Sequence, residues 1–204
     1  MSVVCPITLD REKLRSEVLS IYAKVADNPQ GEFHFHRGLE YAARLLGYDA
    51  AELDELPTAA TASFAGVGNP FLMDLLPAGA TVVDIGSGAG MDCLLAARRI
   101  GRSGSVVGID MTDAMLARAR DSAADADYGQ IRFEKADMTA LPLATESVDV
   151  VISNGVINLA PDKAALFTEL YRVVKPGGRL QFADIVVGRE LSEDARNDID
   201  LWTG

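Results

Sequence analysis

Residues 82–90 read "VVDIGSGAG", and this stretch decides the fold of the chain. An apolar run ends there at Gly86, Gly88 and Gly90, which stand two residues apart. Glycine permits a tight turn with positive φ and lets the backbone approach a ligand closely. The spacing differs from the G-x-G-x-x-G dinucleotide fingerprint, because the third glycine comes one residue early. Asp84 would repel a pyrophosphate and therefore favours a cationic ligand at this loop.

Outward from the glycine loop, short β-rich runs alternate with helical runs. The β-rich runs occupy residues 81–86, 105–110, 131–137, 148–154 and 179–187. Strand alternating with helix predicts a parallel sheet with right-handed crossovers. We therefore predict an α/β fold over residues 80–204, with a doubly wound, mainly parallel sheet of five visible strands.

The first 79 residues have a helical pattern instead. Residues 10–26 predict a helix with one apolar face, made by Leu14, Val18, Ile21, Tyr22 and Val25. Residues 37–46 predict a second helix, and Asp49 with Glu52 forms a capping box for a third. We interpret residues 1–79 as a helical lid over the sheet domain.

The predicted strand 179–187 is the last one, and residues 192–200 read as the start of a further helix. A chain that ends at Gly204 leaves that strand without a partner on its outer side, which proteins usually avoid. We expect C-terminal strands to be missing and the natural chain to extend further.

Composition and charge exclude several function classes. The chain has 204 residues, 49% of them hydrophobic, and a net charge of −11 without a basic patch, so nucleic acid is not an expected partner. No apolar run reaches about 18 residues, and the N-terminus has no signal-peptide pattern, so no membrane span is expected. Cys5 and Cys93 are too few for a disulfide framework, which favours the cytoplasm.

Two further aspartates follow predicted strands. Asp110 ends the second strand 20 residues after Gly90, at the position that bridges ribose hydroxyls in dinucleotide folds, and Asp137 ends the third. Alone, each aspartate would more often cap a turn or a helix. Together with Asp84, they place three carboxylates at one rim beside the glycine loop, and this predicts a nucleoside site.

The ordered motifs resemble the class I, Rossmann-type S-adenosylmethionine-dependent methyltransferases. They are "VVDIGSGAG", then "GID" at 108–110, "ADMTALPLATESVDVVISN" at 136–154 and "RVVKPGGRL" at 172–180. The resemblance covers about residues 70–187. It implies a Rossmann-type fold and methyl transfer from S-adenosyl-L-methionine, with S-adenosyl-L-homocysteine as the product.

The resemblance also implies a donor site at the strand ends. The implied residues are Asp84, Gly86, Ser87, Gly88, Gly90, Asp110, Met111, Asp137, Met138 and Asn154. Ser87 and the glycines would wrap the methionine portion, while Asp110 would take the ribose hydroxyls and Met111 would pack on adenine. Asp137, with Met138 beside it, would accept from the adenine amino group. Asn154 would lie near the transferred methyl, which makes it a catalytic candidate.

A narrower resemblance points to the arsenite methyltransferase branch. It is carried by "LGYDAAELDELP" at 46–57, "GNP" at 68–70 and "VISNGVINLAPDKAALFTELYRVVKPGGRL" at 151–180. That branch binds arsenic through cysteine thiolates, which suit a soft centre. Val67 and Gly155 stand where the family has two of those cysteines, and neither can ligate. We expect Gly155 to leave open space, and Cys93 to be core packing.

Other groups could serve the acceptor. His34 and His36 alternate in "GEFHFHRG" and would face the same side of an extended segment, where an imidazole could act as a base. The alternative is that the neighbouring phenylalanines pack while both histidines face water. Tyr22 and Asn158 are the other substrate candidates, and no metal site is predicted.

Methyl transfer from a sulfonium is an in-line displacement that needs alignment and exclusion of water rather than an acid. The first hypothesis is therefore a methyltransferase for a small molecule or metalloid. The second keeps the enzyme class with an organic small-molecule acceptor, and the third is a protein that binds S-adenosylmethionine without turnover. A homodimer is left open.

Overall fold

The computed structural model describes residues 11–188 and residue 192. Its described part contains β1 (Thr81–Ile85), β2 (Ser105–Asp110), β3 (Ile131–Lys135), β4 (Val148–Asn154) and β5 (Val174–Ala183). These strands form one sheet in the order β3-β2-β1-β4-β5, and all four pairings are parallel. The α/β prediction is confirmed. The strand order reverses between β1 and β4, where parallel α/β sheets bind ligands.

Three helices connect the strands and cover both faces of the sheet. They are α5 (Met91–Ile100), α6 (Asp113–Asp125) and α7 (Lys163–Val173). Val82 of β1 packs into one buried cluster with Leu94 of α5, and Val83 packs into the opposite cluster with Leu166 of α7. Val82 and Val83 face opposite sides of β1 and both are fully buried, as expected for a central strand of a parallel sheet.

Four helices precede the sheet: α1 (Arg11–Asp27), α2 (Gly38–Leu46), α3 (Ala50–Asp54) and α4 (Thr58–Ala62). The Asp49 side chain caps α3 by accepting from the Ala51 N–H at 2.8 Å. The other half of the predicted capping box is wrong, because Glu52 pairs with Arg99 of α5 at 2.7 Å instead. Leu53 of α3 lies in the same core cluster as α5, and the division of the chain at residue 79 stays a prediction.

Strand β5 differs from its predicted range 179–187. It begins at Val174, where it pairs with Val148, and the pairing resumes only at Arg179 with Val150. The "KPGG" residues 175–178 therefore form a bulge within the strand rather than a turn before it. Within the described residues β5 pairs only with β4, and the predicted further strands and the 192–200 helix lie outside them, apart from residue 192.

None of the helices in residues 11–188 combines the length and the apolar character that crossing a membrane requires.

Candidate functional site

Two adjoining cavities lie at the carboxyl edge of the sheet. The larger measures about 400 Å³ and the smaller about 60 Å³. Tyr22, Gly86, Gly88 and Val156 line both of them, so the glycine loop stands at their junction. The larger volume lies in the range of pockets that bind small molecules and cofactors.

The larger cavity collects four of the residues that the sequence predicted. Asp110 and Met111 line it at the end of β2, and Asp137 and Met138 line it after β3. Helix α1 contributes a further part of the lining through Glu12, Leu14, Arg15, Val18 and Tyr22. The helix therefore borders the cavity, and the role of residues 1–79 as a lid stays a prediction.

Asp110 ties the glycine loop to β2. Its carboxylate oxygens accept from the N–H of Gly88 at 2.9 Å and from the N–H of Thr112 at 2.8 Å. The Thr112 hydroxyl and the Met111 N–H also interact with this carboxylate. Burial raises the pKa of Asp110, although the hydrogen bonds from Thr112 and Gly88 oppose this rise.

Asp137 lies two residues beyond β3 rather than at its end, which corrects the prediction. One carboxylate oxygen accepts from Thr139, and the other forms an ion pair with Arg15 of α1 at 2.9 Å. Burial acts to raise the pKa of Asp137, but Thr139 and Arg15 outweigh it and the pKa is lowered. Since both partners of the ion pair are about half exposed, a ligand can replace Arg15 at little cost.

Glycine occupies the three loop positions for different physical reasons. At Gly86 (φ 75°) a Cβ would lie 2.3 Å from Cγ2 of Val156, so packing excludes a side chain. At Gly88 (φ 52°) a Cβ would meet no protein atom within 4 Å, because the residue faces the cavities. Gly90 lines neither cavity, and its Cβ would press on Phe133 at 3.0 Å. The predicted ligand contact at Gly90 is therefore replaced by packing.

The backbone of the loop does not form an anion cradle. The N–H groups of Gly86 and Ser87 both donate to the carbonyl of Ile109, and the N–H of Gly88 donates to Asp110. A dinucleotide pyrophosphate needs such N–H groups free to point at it. The loop therefore suits an uncharged or cationic ligand.

The smaller cavity is acidic. Asp84 and Asp92 line it, and none of its lining residues is Lys, Arg or His. Burial, with Asp92 next, raises the pKa of Asp84 well above its ordinary value. Burial also raises the pKa of Asp92 to about 6, against hydrogen bonds from Tyr48 and Asn154. Asp84 thus faces α5 and this cavity rather than the outer rim where the sequence placed it.

Two hydroxyl groups at the smaller cavity have no hydrogen-bond partner within residues 11–188 and 192. Ser63 is 4% exposed and Ser87 is 8% exposed, and both line the cavity. A buried hydroxyl without a partner is uncommon and costs stability. A polar ligand group or a water molecule would satisfy them.

The two positions that lack the family cysteines are neighbours in space. A Cβ on Gly155 would lie 3.1 Å from Cγ1 of Val67. The expected open space at Gly155 is therefore absent, because the Val67 side chain fills it. Neither residue lines either cavity.

The histidine prediction is corrected by the structure. His34 and His36 are exposed and line neither cavity, while Phe33 and Phe35 pack against the cluster that contains Val25. The alternation of the segment turned the aromatic rings inward and the imidazoles to water. Residues 11–188 and 192 also contain no group of three or more side chains that could hold a metal ion.

The other two substrate candidates have different outcomes. Tyr22 lies at the junction of the cavities, and burial together with Asp110 raises its pKa to about 12. Asn158 lines neither cavity, and its N–H donates to Asp184 at 3.0 Å. The structure therefore brings Tyr22 to the site and leaves Asn158 outside it.

Several residues of the site were not found from the sequence. They are Arg15, Tyr48, Ser63, Asp92 and Val156. Asp92 could have been found most easily, since it is an acid in the apolar first part of the helix that directly follows the glycine loop. For Tyr48, the sequence shows only that it follows Gly47, the glycine that ends α2.

Cys93 is expected to resist thiol reagents. It is fully buried, and its thiol donates to Asp84 at 3.3 Å. Burial and the Asp84 charge raise the pKa of Cys93 well above its ordinary value, so little thiolate forms. We expect no iodoacetamide adduct on Cys93 at pH 8 in the folded protein and complete reaction in guanidinium, as read by peptide mass spectrometry. Equal labelling in both states would contradict the core assignment.

Comparison with known proteins agrees with this geometry. A family described as "Methyltransferase domain" matches residues 76–203. An arsenite methyltransferase of Halobacterium salinarum is 43% identical over 159 residues, which are 78% of this chain and 40% of that protein. A 2-phytyl-1,4-naphtoquinone methyltransferase of Thermosynechococcus vestitus is 39% identical over 110 residues, 53% of this chain and 48% of that protein. The chain thus spans less than half the length of both relatives.

A solved structure is also similar to this chain. The crystal structure of an arsenic(III) S-adenosylmethionine methyltransferase from Chlamydomonas reinhardtii superposes with a TM-score of 0.58 at 36% identity. The match covers 77% of this chain and 52% of that one.

Proposed function

The chain belongs to the class I S-adenosylmethionine-dependent methyltransferases, and from this premise we propose that it transfers a methyl group to a small acceptor, with the donor spanning the two cavities. The single observation that carries this proposal is the pairing of a roomy cavity beside Asp110 with a small one lined by two acids, Asp84 and Asp92, and by no basic residue. A nucleoside with a cationic tail fits this arrangement, because the nucleoside would occupy the larger cavity and the tail would reach the acids of the smaller one.

The residues present fit such a donor. Asp110 lines the larger cavity and would accept from ribose hydroxyls, and Met111 and Met138 offer apolar surface for a base. Asp137 would accept from the base once Arg15 moves away. The glycine loop, open at Gly88, would lie along the sulfur-bearing part.

The acidic end of the site would hold the amino-acid portion. Burial favours the protonated forms of Asp84 and Asp92, and a bound cation would favour their carboxylate forms. The hydroxyls of Ser63 and Ser87 provide hydrogen-bonding groups that have no partner among the described residues. Burial makes the carboxylate charge effective toward such a cation, because screening by water is weak there.

The protein contributes alignment and exclusion of water. The bound donor would supply a methyl group on a cationic sulfur, which becomes neutral as the methyl leaves, so the chain needs no acid for it. Helix α1 covers the larger cavity with Leu14 and Val18. Tyr22, whose pKa is about 12, keeps its proton at neutral pH and serves as a wall rather than a base.

The acceptor is a small molecule or a metalloid. The likeness to arsenite methyltransferases supports a metalloid, bound by groups other than thiolates at Val67 and Gly155. The absence of a thiol at both Val67 and Gly155 favours a second candidate, an organic acceptor. The likeness to a naphthoquinone methyltransferase supports the same candidate.

Calorimetry and a product screen test the proposal. We expect both S-adenosylmethionine and S-adenosylhomocysteine to give saturable heat, since both carry the nucleoside and the ammonium group. Mass spectrometry over arsenite, selenite, thiols and quinols is then expected to show one methylated product. Absence of heat with either ligand would contradict the donor site. Binding without any product would support the reading as a non-catalytic binding protein.

The net charge and the free cysteine bear on the class of acceptor and on the cell compartment. A net charge of −11 disfavours a nucleic-acid acceptor, and the buried free thiol of Cys93 fits a reducing cytoplasm.

A further inference from the structure

The side chain of Asn154 joins the end of β4 to the loop of residues 66–68. Its Oδ1 accepts from the N–H of Val67 at 2.8 Å and from the N–H of Gly68 at 3.1 Å. Its Nδ2 donates to the carbonyl of Gly68 at 2.8 Å. A Cβ on Gly66 would lie only 2.4 Å from Nδ2, so the loop backbone is pressed against the amide.

This amide has no hydrogen-bonding capacity left for a ligand. The carbonyl oxygen has two lone pairs, and two loop N–H groups occupy them. The NH₂ group has two hydrogens and three acceptors in range, which are Gly68 O, Tyr48 Oη and Asp92 Oδ2. Asn154 lines the smaller cavity, but its amide is a clamp for the 66–68 loop rather than a hydrogen-bonding group for a ligand.

Tyr48 and Asp92 fix the orientation of that amide. The Tyr48 hydroxyl donates to Asp92 Oδ1 at 2.8 Å and accepts from Asn154 Nδ2 at 2.9 Å, while Asp92 Oδ2 accepts from the same Nδ2 at 3.2 Å. A flipped amide would point its NH₂ at two N–H donors and its oxygen at a carboxylate. The network admits one orientation.

The Tyr48 ring also holds both ends of the loop. It packs edge-on against Phe64 at 5.4 Å, before the loop, and against Phe71 at 6.3 Å, after it. Tyr48 is 5% exposed, so its hydroxyl has been taken out of water for these contacts. A phenylalanine would supply the ring packing equally well, and the hydroxyl is what the hydrogen-bond network requires.

We propose that Tyr48 and Asp92 are positioning residues that act through Asn154 to hold the 66–68 loop as the acceptor-side wall of the site. Gly66 of this loop lines the smaller cavity, and Val67 closes against Gly155 at the end of β4. The assignment of this wall to the acceptor rests on the proposed function. The clamp itself rests only on the contacts.

Hydrogen exchange measured by NMR tests the clamp without a known acceptor. In Tyr48→Phe we expect the N–H groups of Val67 and Gly68 to exchange about tenfold faster, because the amide loses one of its fixed partners. Amides of the β1–β2 ladder should keep their wild-type rates, which a general loss of stability would not allow. Tyr41→Phe is the matched control, since Tyr41 stacks on His36 outside this network. Equal loop exchange in both variants would overturn the proposal.

A second variant and a kinetic readout complete the test. Asp92→Asn leaves one acceptor oxygen where the carboxylate had two, so either the Tyr48 hydroxyl or the Asn154 amide loses its acceptor, and the same loop acceleration is expected even if Tyr48→Phe fails to fold. With the acceptor found by the product screen, Tyr48→Phe should lower kcat about tenfold and change the KM for S-adenosylmethionine less than about twofold. An unchanged kcat with a loosened loop would overturn the acceptor-wall role. A wild-type protein that binds no donor would instead refute the proposed function and leave the clamp intact.

Discussion

Replacement of Gly88 by alanine is expected to weaken the binding of S-adenosylmethionine about 100-fold while the fold persists. Gly88 lines both cavities, and a Cβ there would meet no protein atom within 4 Å. The added methyl group therefore enters only the space that we assign to the donor. A filled contact position displaces a closely packed ligand, since such packing tolerates little extra volume. Isothermal calorimetry on the folded variant measures the loss.

Gly101 provides the matched control for this variant. It has φ of 75°, a Cβ there also meets no atom within 4 Å, and it follows α5 away from both cavities. Alanine at a positive φ costs about 1–3 kcal/mol, and Gly101 (ψ 176°) lies in a region that other residues rarely adopt, so donor affinity is compared on the folded fraction of both variants. Gly101→Ala is expected to bind the donor as the wild type does. Equal donor affinity in the two variants would show that the glycine loop does not hold the donor.

The fold was predictable because its signals are local. The central strands β1, β2 and β4 are buried on both faces, and the helices between strands carry apolar faces, so strand and helix patterns alternate along the sequence after residue 80. The start of β5 was not predictable, because it depends on pairing with Val148 across a bulge. That pairing is a property of two strands rather than of either segment alone.

The donor side of the site was also largely predictable. Parallel strands end at one edge, so Asp110 and Asp137 had to converge there. The partners that decide the remaining roles are distant along the chain: Tyr48 and Asn154 are 106 positions apart, and Tyr48 and Asp92 are 44 apart. The sequence therefore located Asn154 correctly at the strand end but could not reveal that its amide is fully used by a loop.

The alternating pattern around His34 and His36 also could not show by itself which side chains are buried. An alternating pattern states that two residues share a face, and only the packing of neighbouring elements states which face is buried. Phe35 lies 6.1 Å from Tyr22 between ring centroids, so the apolar face of the segment packs on α1. His34 and His36 are turned to water as a consequence.

Replacing Asp84 by asparagine is expected to raise the free energy of unfolding by at least about 1 kcal/mol at pH 8, and by less at pH 5. Burial beside Asp92 raises the pKa of Asp84, so the folded state binds a proton more tightly than the unfolded state does. Stability of the wild type therefore falls as pH rises from the ordinary aspartate pKa through the raised folded value. Asparagine remains neutral at every pH, and its oxygen can still accept from the Cys93 thiol.

Urea unfolding at both pH values measures this difference, with Asp121→Asn as the control. Asp121 is an exposed aspartate of α6, and its replacement removes the same charge. A gain at Asp84 that is no larger than at Asp121, or that does not grow with pH, would contradict the buried-charge explanation.

We also expect Asp84→Asn to weaken the binding of S-adenosylmethionine about tenfold, because the cationic end of the donor loses a buried counter-charge. A variant that is more stable yet binds less donor would indicate that the protein keeps a destabilising pair of acids for the sake of the ligand.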